Sequence, residues 1–521
     1  MSNTLFFKAH TFEPSGVKRF TRGRHLSEDY SVAAVSVSVL AVIFALVNPS
    51  VIHWFILPLM ACGILVGVDI VRWLRGRLDL FDPKTIIACL AFYGFFVAPV
   101  LNIVWDHFGV GNDMLLWGDD WRTWLGAMGC LNALGLLVYR LAHNWTFHKT
   151  KPSQFRWLTN RKRFYPIFFF ALCCSIAGLI AFLWQLGGIS GMVEAYEENQ
   201  LAFVGKGWLL VFAWPLAVLS FIIIVFAWTD RRRNFRNHLT IGLLILAIAG
   251  VGHFLLLGWY GSRVATVAAL FWMTGILHHR FRKLSPKVMA IGVISLIAFA
   301  YLYGFYKEQK TQSLEVLRSP AMWLQPVGYQ RDIKYLLLED LARADSNAFI
   351  LHNLIKDPTD YDYRWGLTYI GAFAILIPTN LWPDRPYFRV DAGTEALWGK
   401  AASTPSSRLY GISGEALLNF GAFGVAPAFA IYGGLLGWYR RKAQAWDSLD
   451  GRTFLAPFFT LLFVTALVCD SDVLVFFAVT QGSLITMAVV ATGRALPDGQ
   501  GSKIERDSQG NYHSALSYLN P

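Results

Sequence analysis

Long apolar stretches recur along the chain and alternate with short charged segments. Most of them approach the roughly 20 residues that an α-helix needs to cross the hydrocarbon core of a bilayer. The pattern predicts an all-α polytopic integral membrane protein with about twelve transmembrane helices. The predicted spans are residues 31–47, 51–71, 85–104, a fourth between 120 and 140, then 164–186, 208–228, 239–257, 264–277, 288–305, 414–438, 454–468 and 473–490.

Basic residues cluster between the predicted spans on one side of the membrane. The segment 106–120, which falls on the other side, is acidic. Because cytoplasmic loops carry an excess of Lys and Arg, both termini are predicted to be cytoplasmic. The polar, basic N-terminus has no pattern of a cleavable signal peptide. The basic segments between spans are 72–84, 140–163, 230–233, 278–283 and 440–442.

The apolar stretch 366–378 decides the topology of the second half of the chain. It is too short for an ordinary span, and counting it as one would place the basic segment 440–442 outside. We therefore interpret it as a helix that is buried in, or lies on, the outer face. Residues 307–410 then form one large periplasmic loop between spans nine and ten, far longer than an ordinary connection.

This interpretation divides the chain into five parts. A cytoplasmic N-terminal segment (1–30) precedes a membrane domain with spans one to nine (31–306). The periplasmic loop (307–410) leads to spans ten to twelve (411–492), and a disordered cytoplasmic tail follows (493–521). The loop is too rich in Tyr, Trp and Leu to be disordered.

Composition supports a membrane protein and argues against other classes. The 521 residues are 55% hydrophobic and 15% charged, with a net charge of +12. The basic residues follow the membrane topology, so we predict no nucleic-acid partner. The six cysteines lie in or beside apolar stretches without metal-ligand spacing. We therefore predict neither a disulfide framework nor a metal site.

The segment 404–441 combines polar chemistry with the start of a span. Arg408 precedes Glu415, and Asn419 follows Glu415 after one helical turn. A carboxylate buried unpaired at the edge of a span costs on the order of a few kcal/mol. Glu415 is therefore predicted to have a partner or a task. The glycine-rich stretch 433–437 predicts the close approach of another helix.

The periplasmic loop holds basic residues that the positive-inside bias does not favour. Guanidinium groups bind phosphate and diphosphate oxygens in a bidentate manner, and Arg263 adds one from another outer boundary. The alternative is that these residues bind lipid phosphates or pair with the carboxylates Asp332, Glu339, Asp340, Asp357 and Asp360. The loop set is Arg318, Arg331, Lys334, His352, Lys356, Arg364, Arg385, Arg389, Lys400 and Arg408.

Motifs for metal and nucleotide chemistry are weak or missing. Residues 470–472 spell the Asp-x-Asp that holds a metal in nucleotide-sugar enzymes, but they fall in a tight external turn. We interpret them as solvated turn residues. The chain has no Walker loop, no HExxH and no GxSxG. We predict no cofactor.

Three segments carry a resemblance to a known family. They are YGSRVATVAALFW (260–272), LIPTNLWPDRP (376–386) and GISGEALLNFGAFGVAPAFAIYGGLLG (411–437). Together they resemble the bacterial oligosaccharide repeat-unit polymerases, the Wzy-type membrane glycosyltransferases of O-antigen, capsule and exopolysaccharide assembly. The resemblance covers mainly residues 239–442.

The resemblance implies a metal-independent enzyme of the bacterial inner membrane with a periplasmic active site. It would transfer a glycan from undecaprenyl diphosphate to a second lipid-linked repeat unit, beside membrane lipids, a flippase and a chain-length regulator. Arg263 and Arg408 would bind the diphosphate, and Glu415 would act as the base or hold an arginine in place. The remaining predicted binding residues are Arg331, Arg364, Lys400, His352 and Asn419.

Two other functions stay open at this point. An O-antigen ligase would use the same donor chemistry with a different acceptor, and such enzymes use a loop histidine, here His352. A transporter or flippase of lipid-linked glycans would instead place charged residues deep within the spans. The predicted spans are almost free of charge at their centres, which favours the enzyme.

Overall fold

We describe the protein from a computed structural model. The predicted seventh span (239–257) lies outside the described residues, and the predicted ninth span (288–305) is described at only a few positions. The terminal segments 1–21 and 498–521 lie outside them as well. The described residues are 22–109, 120–153, 155–197, 207–229, 263–280, 333–377, 381–382, 388–400, 408–446 and 450–497, with several positions between 283 and 298.

Helices make up most of the described chain, and one two-stranded antiparallel ribbon accompanies them. Its strands are β1 (Phe155–Thr159) and β2 (Gly493–Pro497). The helices before residue 300 are α1 (Arg22–Val47), α2 (Ile56–Leu74), α3 (Pro83–Phe92), α4 (Ala98–Trp105), α5 (Trp121–Lys149), α6 (Arg161–Gln185), α7 (Gly188–Glu197), α8 (Leu210–Ala213), α9 (Leu216–Thr229) and α10 (Arg263–Arg280). Those after it are α11 (Ile333–Tyr335), α12 (Ala344–Lys356), α13 (Leu367–Gly371), α14 (Phe388–Trp398), α15 (Gly411–Phe420), α16 (Ala422–Ala443), α17 (Ala456–Val468), α18 (Ser471–Phe477) and α19 (Ser483–Thr492).

Eight helical segments of the described chain are long and apolar enough to cross a membrane. This confirms the predicted class, an all-α membrane protein, while the number of twelve spans stays a prediction. Helix α17 is apolar as well but has only 13 residues. The eight segments are Ser27–Val47, Ile56–Leu74, Pro83–Trp105, Trp121–Lys149, Arg161–Gln185, Leu210–Ala227, Ala422–Ala443 and Ser471–Thr492.

Polar side chains mark where several of these helices begin. Asp82, Asp120 and Asn160 precede α3, α5 and α6, and each accepts a hydrogen bond from the backbone N–H two residues later, at 2.9 to 3.0 Å. Such caps satisfy N–H groups that have no partner within the helix. The sequence therefore fixes these helix starts locally.

The predicted tenth span (414–438) is wrong as one continuous helix, because the chain breaks at Gly421. Its φ of 63° and ψ of −158° are open to glycine and strained for other residues. The break separates α15, which is too short to span, from α16. Backbone N–H groups of 364–365 donate to the carbonyls of Leu418 and Asn419 at 3.2 and 3.0 Å, which satisfies the end of α15.

Helices α5 and α16 pack directly against each other. A Cβ atom at Gly433 or Gly437 would overlap the backbone of Tyr139 or His143. Glycine therefore permits a close approach that any side chain would prevent. The glycine-rich stretch is a packing surface, as the sequence suggested.

The ends of several helices meet at one face, which carries many basic side chains. Asp29 near the start of α1 pairs with Arg75 after α2 at 2.6 Å. Asp82 before α3 accepts a hydrogen bond from Arg440 near the end of α16 at 2.7 Å. The ribbon of β1 and β2 lies on this side as well, where β2 directly follows the end of α19. We call it the basic face.

The opposite face carries most of the described part of the predicted loop. Helix α13 and the 3₁₀ turn Ala372–Leu376 follow each other there, and both pack against α18. Together they are too short to cross a bilayer. Helix α15 and the start of α18 lie beside them, so this face collects the polar residues that the sequence singled out.

Candidate functional site

Polar side chains gather at the opposite face where α13, α14, α15 and α18 meet. Glu415 comes from α15, and Arg389 comes from α14. Asp470 and Asp472 lie at the start of α18. We call these four residues the carboxylate centre. They are more than 80 positions apart at the extremes, so the fold and not the local sequence brings them together.

Glu415 is buried and fully hydrogen-bonded. Its Oε1 accepts from the Thr368 hydroxyl at 2.7 Å and from the Ser471 hydroxyl. Its Oε2 accepts from the backbone N–H of Ser471 at 2.7 Å. Within the described chain, the partners of this carboxylate are hydroxyl and amide groups and include no guanidinium. The sequence predicted that Glu415 has a partner, and the structure shows hydroxyl and amide groups of α13 and α18 in that position.

Asp470 is fully buried, so its interpretation as a solvated turn residue is wrong. Its Oδ1 accepts from the backbone N–H groups of Tyr410 and Gly411 at 3.0 and 2.9 Å. These are orphan donors at the start of α15, where Gly411 has a φ of 66°. Asp470 thus caps a helix that lies about 60 residues earlier in the chain.

Arg389 connects the two aspartates. Its Nε donates to Asp472 Oδ2 at 2.7 Å, and a terminal nitrogen lies 3.6 Å from Asp470 Oδ2. The same guanidinium donates to the backbone carbonyl of Arg408 at 2.8 Å. A cation therefore already stands where the Asp-x-Asp motif would hold a metal. In the described part of the chain, no group of three or more His, Cys, Asp or Glu residues could hold a metal ion.

Burial shifts the pKa values of two carboxyls in the carboxylate centre. It raises the pKa of the Glu415 carboxyl, while hydrogen bonds from Ser471 and Thr368 oppose that shift. Burial also raises the pKa of Asp470 well above its usual range, with a further rise from Glu415 and an opposing effect of Arg389. The neighbouring carboxyls Glu415 and Asp470 therefore disfavour each other's charge.

Asn419 ties α13 to α15. Its Nδ2 donates to the Thr368 hydroxyl at 2.6 Å and to the Glu415 carbonyl at 2.8 Å. Its Oδ1 accepts from the backbone N–H of Gly366 at 2.9 Å. Asn419 therefore orders the end of α15 and fixes the hydroxyl that binds Glu415.

Arg408 is partly exposed and lies at the edge of this network. Its guanidinium contacts the Ser346 hydroxyl at 3.4 Å, Glu339 Oε2 at 3.7 Å and the carbonyl of Gly109. Glu339 also pairs with His107 at 3.1 Å. Burial raises the pKa of Glu339, and the positive charge of Arg408 opposes that rise. Through its carbonyl, Arg408 is joined to the carboxylate centre.

Arg364 and Lys400 belong to a separate polar set. The Arg364 side chain pairs with Glu395, and Lys400 pairs with Asp362 at 3.1 Å. The backbone N–H of Asp362 donates to Glu395 at 3.0 Å, which joins the two pairs. Arg364 and Lys400 therefore form ion pairs within the predicted loop, with carboxylates other than those suggested by the sequence.

His352 lies in an aromatic cluster between α5 and α12. Its ring centroid is 4.8 Å from that of Trp124 and 5.7 Å from that of Trp121. The side chain is buried, and its Nδ1 lies 3.0 Å from the Asn353 side-chain oxygen. This position is typical of a packing residue.

Two predicted arginines are not tested by the geometry. Arg263 is the first residue of α10, but its side chain lies outside the described part, and Arg331 lies outside it entirely. Both stay predictions. The sequence also gave no special role to Arg389, Asp470 or Thr368. The two aspartates of the turn, Asp470 and Asp472, were the available signal for a buried polar site, because unpaired carboxylates at span ends are costly.

Comparison with known proteins does not identify a family for this chain. No family model, no curated protein and no solved structure matches it.

Proposed function

We propose that the protein is a membrane glycosyltransferase that joins undecaprenyl-diphosphate-linked oligosaccharide repeat units into a polymer on the periplasmic face of a bacterial inner membrane. One observation carries this proposal. Arg408 and Glu415, which the resemblance implies are functional, are linked in three steps. Arg389 donates to the Arg408 carbonyl at 2.8 Å and pairs with Asp470 at 3.6 Å, and Ser471, the next residue of the chain, donates its N–H to Glu415 at 2.7 Å. These links place a residue with a partly exposed guanidinium beside the site of a buried carboxyl, the two groups that such a transfer requires.

In the proposed reaction, the bond between the donor's anomeric carbon and the diphosphate breaks. A bond from that carbon to an acceptor hydroxyl forms. Arg408 stabilises the charge that develops on the leaving diphosphate. Its contacts with Ser346 and Glu339 are long, at 3.4 and 3.7 Å, and phosphate oxygens can replace these two while the Gly109 carbonyl holds the guanidinium in place.

Glu415 receives the acceptor's proton through a hydroxyl, because its own oxygens are buried. Ser471 is half-buried and donates to Glu415 Oε1. As the acceptor attacks, its proton passes to Ser471 Oγ, and the proton of Ser471 passes to Glu415. Thr368, held by Asn419, orients the carboxyl at 2.7 Å. Burial raises the pKa of Glu415, which makes it a stronger base than an ordinary carboxylate.

The test is polymer formation in a strain that lacks the gene, with each variant present at wild-type membrane levels. Arg408→Ala and Ser471→Ala should each leave single repeat units without long chains. Arg122→Ala is the matched control, because Arg122 pairs with Asp120 in an exposed contact at 2.9 Å. It should restore full-length polymer. Full activity of the Arg408 variant would refute the proposed role of that guanidinium.

Transport of lipid-linked glycans is the second candidate, and one observation favours it. Asp69, Lys84 and Arg140 are buried between α2, α3 and α5, with contacts of 3.0 Å from Asp69 to each of the two cations. Asp69 and Lys84 lie near the ends of the candidate spans Ile56–Leu74 and Pro83–Trp105, and Arg140 lies within Trp121–Lys149, so these charges are buried between helices towards the basic face. Repeat units trapped on the cytoplasmic leaflet of the deletion strain would support transport. Full-length polymer that stays unattached to its final acceptor would support a ligase.

A further inference from the structure

Three arginines at the basic face converge on one buried carboxylate. Asp29 is buried near the start of α1. Arg75 contacts its Oδ1 at 2.6 Å, and Arg77 contacts its Oδ2 at 2.9 Å. The Nε of Arg72 lies 3.4 Å from Oδ2. The carboxylate therefore holds the three guanidinium groups in a fixed arrangement while their side chains stay partly exposed. We call Arg72, Arg75 and Arg77 the arginine triad.

The triad belongs to a network with excess positive charge. Arg72 also contacts Asp69 at 3.4 Å, and Asp69 binds Lys84 and Arg140 at 3.0 Å each. Five cations thus contact two carboxylates, Asp29 and Asp69, which leaves an excess of three positive charges. Glu28 is exposed on the same helical turn as Asp29, and including its charge gives an excess of two. Guanidinium groups fixed in this way favour a phosphate ligand.

The two helices that meet at the triad, α1 and α2, also expose apolar side chains. Only 17% of the apolar window of α1 is buried within the described structure, the lowest share among the candidate spans. Val35, two turns after Asp29, is 63% exposed, and Leu74 at the end of α2 is 70% exposed. Such side chains face lipid when the helix crosses a membrane. In a membrane crossed by α1 and α2, the triad would lie at headgroup depth, because it stands at the ends of these two candidate spans.

We propose that the arginine triad binds the phosphate of an anionic glycerophospholipid, with the acyl chains lying against Val35 and Leu74. The combination favours a lipid over a soluble phosphate, because the charged and apolar parts of the site adjoin each other. Clusters of basic residues just cytoplasmic to spans recognise anionic headgroups in this way. This site lies on the face opposite the carboxylate centre and does not depend on the proposed function.

The test is thermal unfolding of the full chain in detergent, titrated with phosphatidylglycerol or with phosphatidylcholine of the same acyl chains. Phosphatidylglycerol should raise the unfolding temperature at a concentration at least tenfold lower than phosphatidylcholine. The double variant Arg75→Gln/Arg77→Gln should lose this difference. Arg122→Gln is the control, because its side chain is 35% exposed, close to the 34% of Arg75 and 39% of Arg77. It should respond as the wild type does.

Three outcomes would overturn the proposal. The first is an equal response of the wild type to both lipids, which needs no variant and so does not depend on how the double variant folds. The second is an unchanged preference for phosphatidylglycerol in the double variant. The third is stabilisation by inorganic phosphate or glycerol phosphate as strong as that by the lipid, which would indicate a soluble ligand.

Discussion

Replacing Arg389 by methionine removes the guanidinium that joins Asp470 and Asp472 while it keeps most of the side-chain volume. Arg389 is 13% exposed and Asp470 is fully buried. The substitution therefore leaves a carboxylate without its cation in a place that water does not reach. It also removes a hydrogen bond of 2.8 Å to the carbonyl of Arg408. In this variant, the contacts among Glu415, Asp470 and Asp472 should be lost at a lower temperature than the spans unfold.

The magnitude follows from burial. Removing one partner of a buried ion pair typically costs about 3–5 kcal/mol, because the remaining charge stays desolvated. Asp470 can take up a proton, which lowers this cost, so we expect about 2–4 kcal/mol for Arg389→Met. Arg122→Met is the matched control. It breaks an ion pair of 2.9 Å whose partners are 35% and 41% exposed, and solvent reduces its cost to about 0–1 kcal/mol.

The assay is thermal unfolding of the purified variants in one detergent, read out as the shift in unfolding temperature. The shift for Arg389→Met should be at least twice that for Arg122→Met. Adding Asp472→Asn to Arg389→Met should cost less than the two single shifts predict, since contacting partners are not additive. Equal shifts for Arg389 and Arg122, or strict additivity with Asp472, would refute the buried pair.

Two further predictions concern pH and the break between α15 and α16. The pKa of Glu415 is raised above its ordinary 4.5, so its folded form retains a proton that the unfolded form releases. Wild-type stability should therefore fall as the pH rises from 4.5 through the raised pKa, and the stability of Glu415→Gln should fall less. Unfolding temperatures that depend on pH with the same slope in both proteins would contradict this. Gly421→Ala should cost about 1–3 kcal/mol, because its φ is 63° and a Cβ would stand 3.1 Å from the Tyr363 hydroxyl. Gly434→Ala in α16, whose Cβ would meet its nearest atom at 3.6 Å, should be neutral or stabilising in the same unfolding assay, and an equal loss for both would refute the strain at residue 421.

The class of the protein could be predicted from the sequence because apolar length and composition are local properties. A run of about 20 apolar residues predicts a span wherever it occurs. The need of Glu415 for a partner was also visible, since a carboxylate at a span boundary is costly alone. The close packing along residues 433–437 followed from the absence of side chains there.

The partners themselves could not be predicted, because they come from distant parts of the chain. Asp470 caps α15 from about 60 residues later, and no local pattern marks that pairing. The turn at 470–472 therefore resembled a solvated connection. The break at Gly421 was missed for a related reason: the stretch 414–438 is apolar apart from Glu415 and Asn419, and one glycine conformation divides it. Both errors concern tertiary contacts that override the local pattern.

The contacts of Glu415 also allow an experiment that distinguishes two roles of this residue, a general base and a purely structural carboxyl. The backbone N–H of Ser471 can only donate, so Oε2 must remain an acceptor. A proton taken up by Glu415 therefore belongs on Oε1, where the hydroxyls of Ser471 and Thr368 can rotate to accept it. Glutamine can place its NH₂ group at that position and its oxygen at the other, so Glu415→Gln reproduces the protonated form. If Glu415 is the base, this variant should fold with near wild-type stability and lose polymer formation by about a hundredfold or more. Wild-type polymer from a stable Glu415→Gln protein would assign Glu415 to the structure of α15 alone.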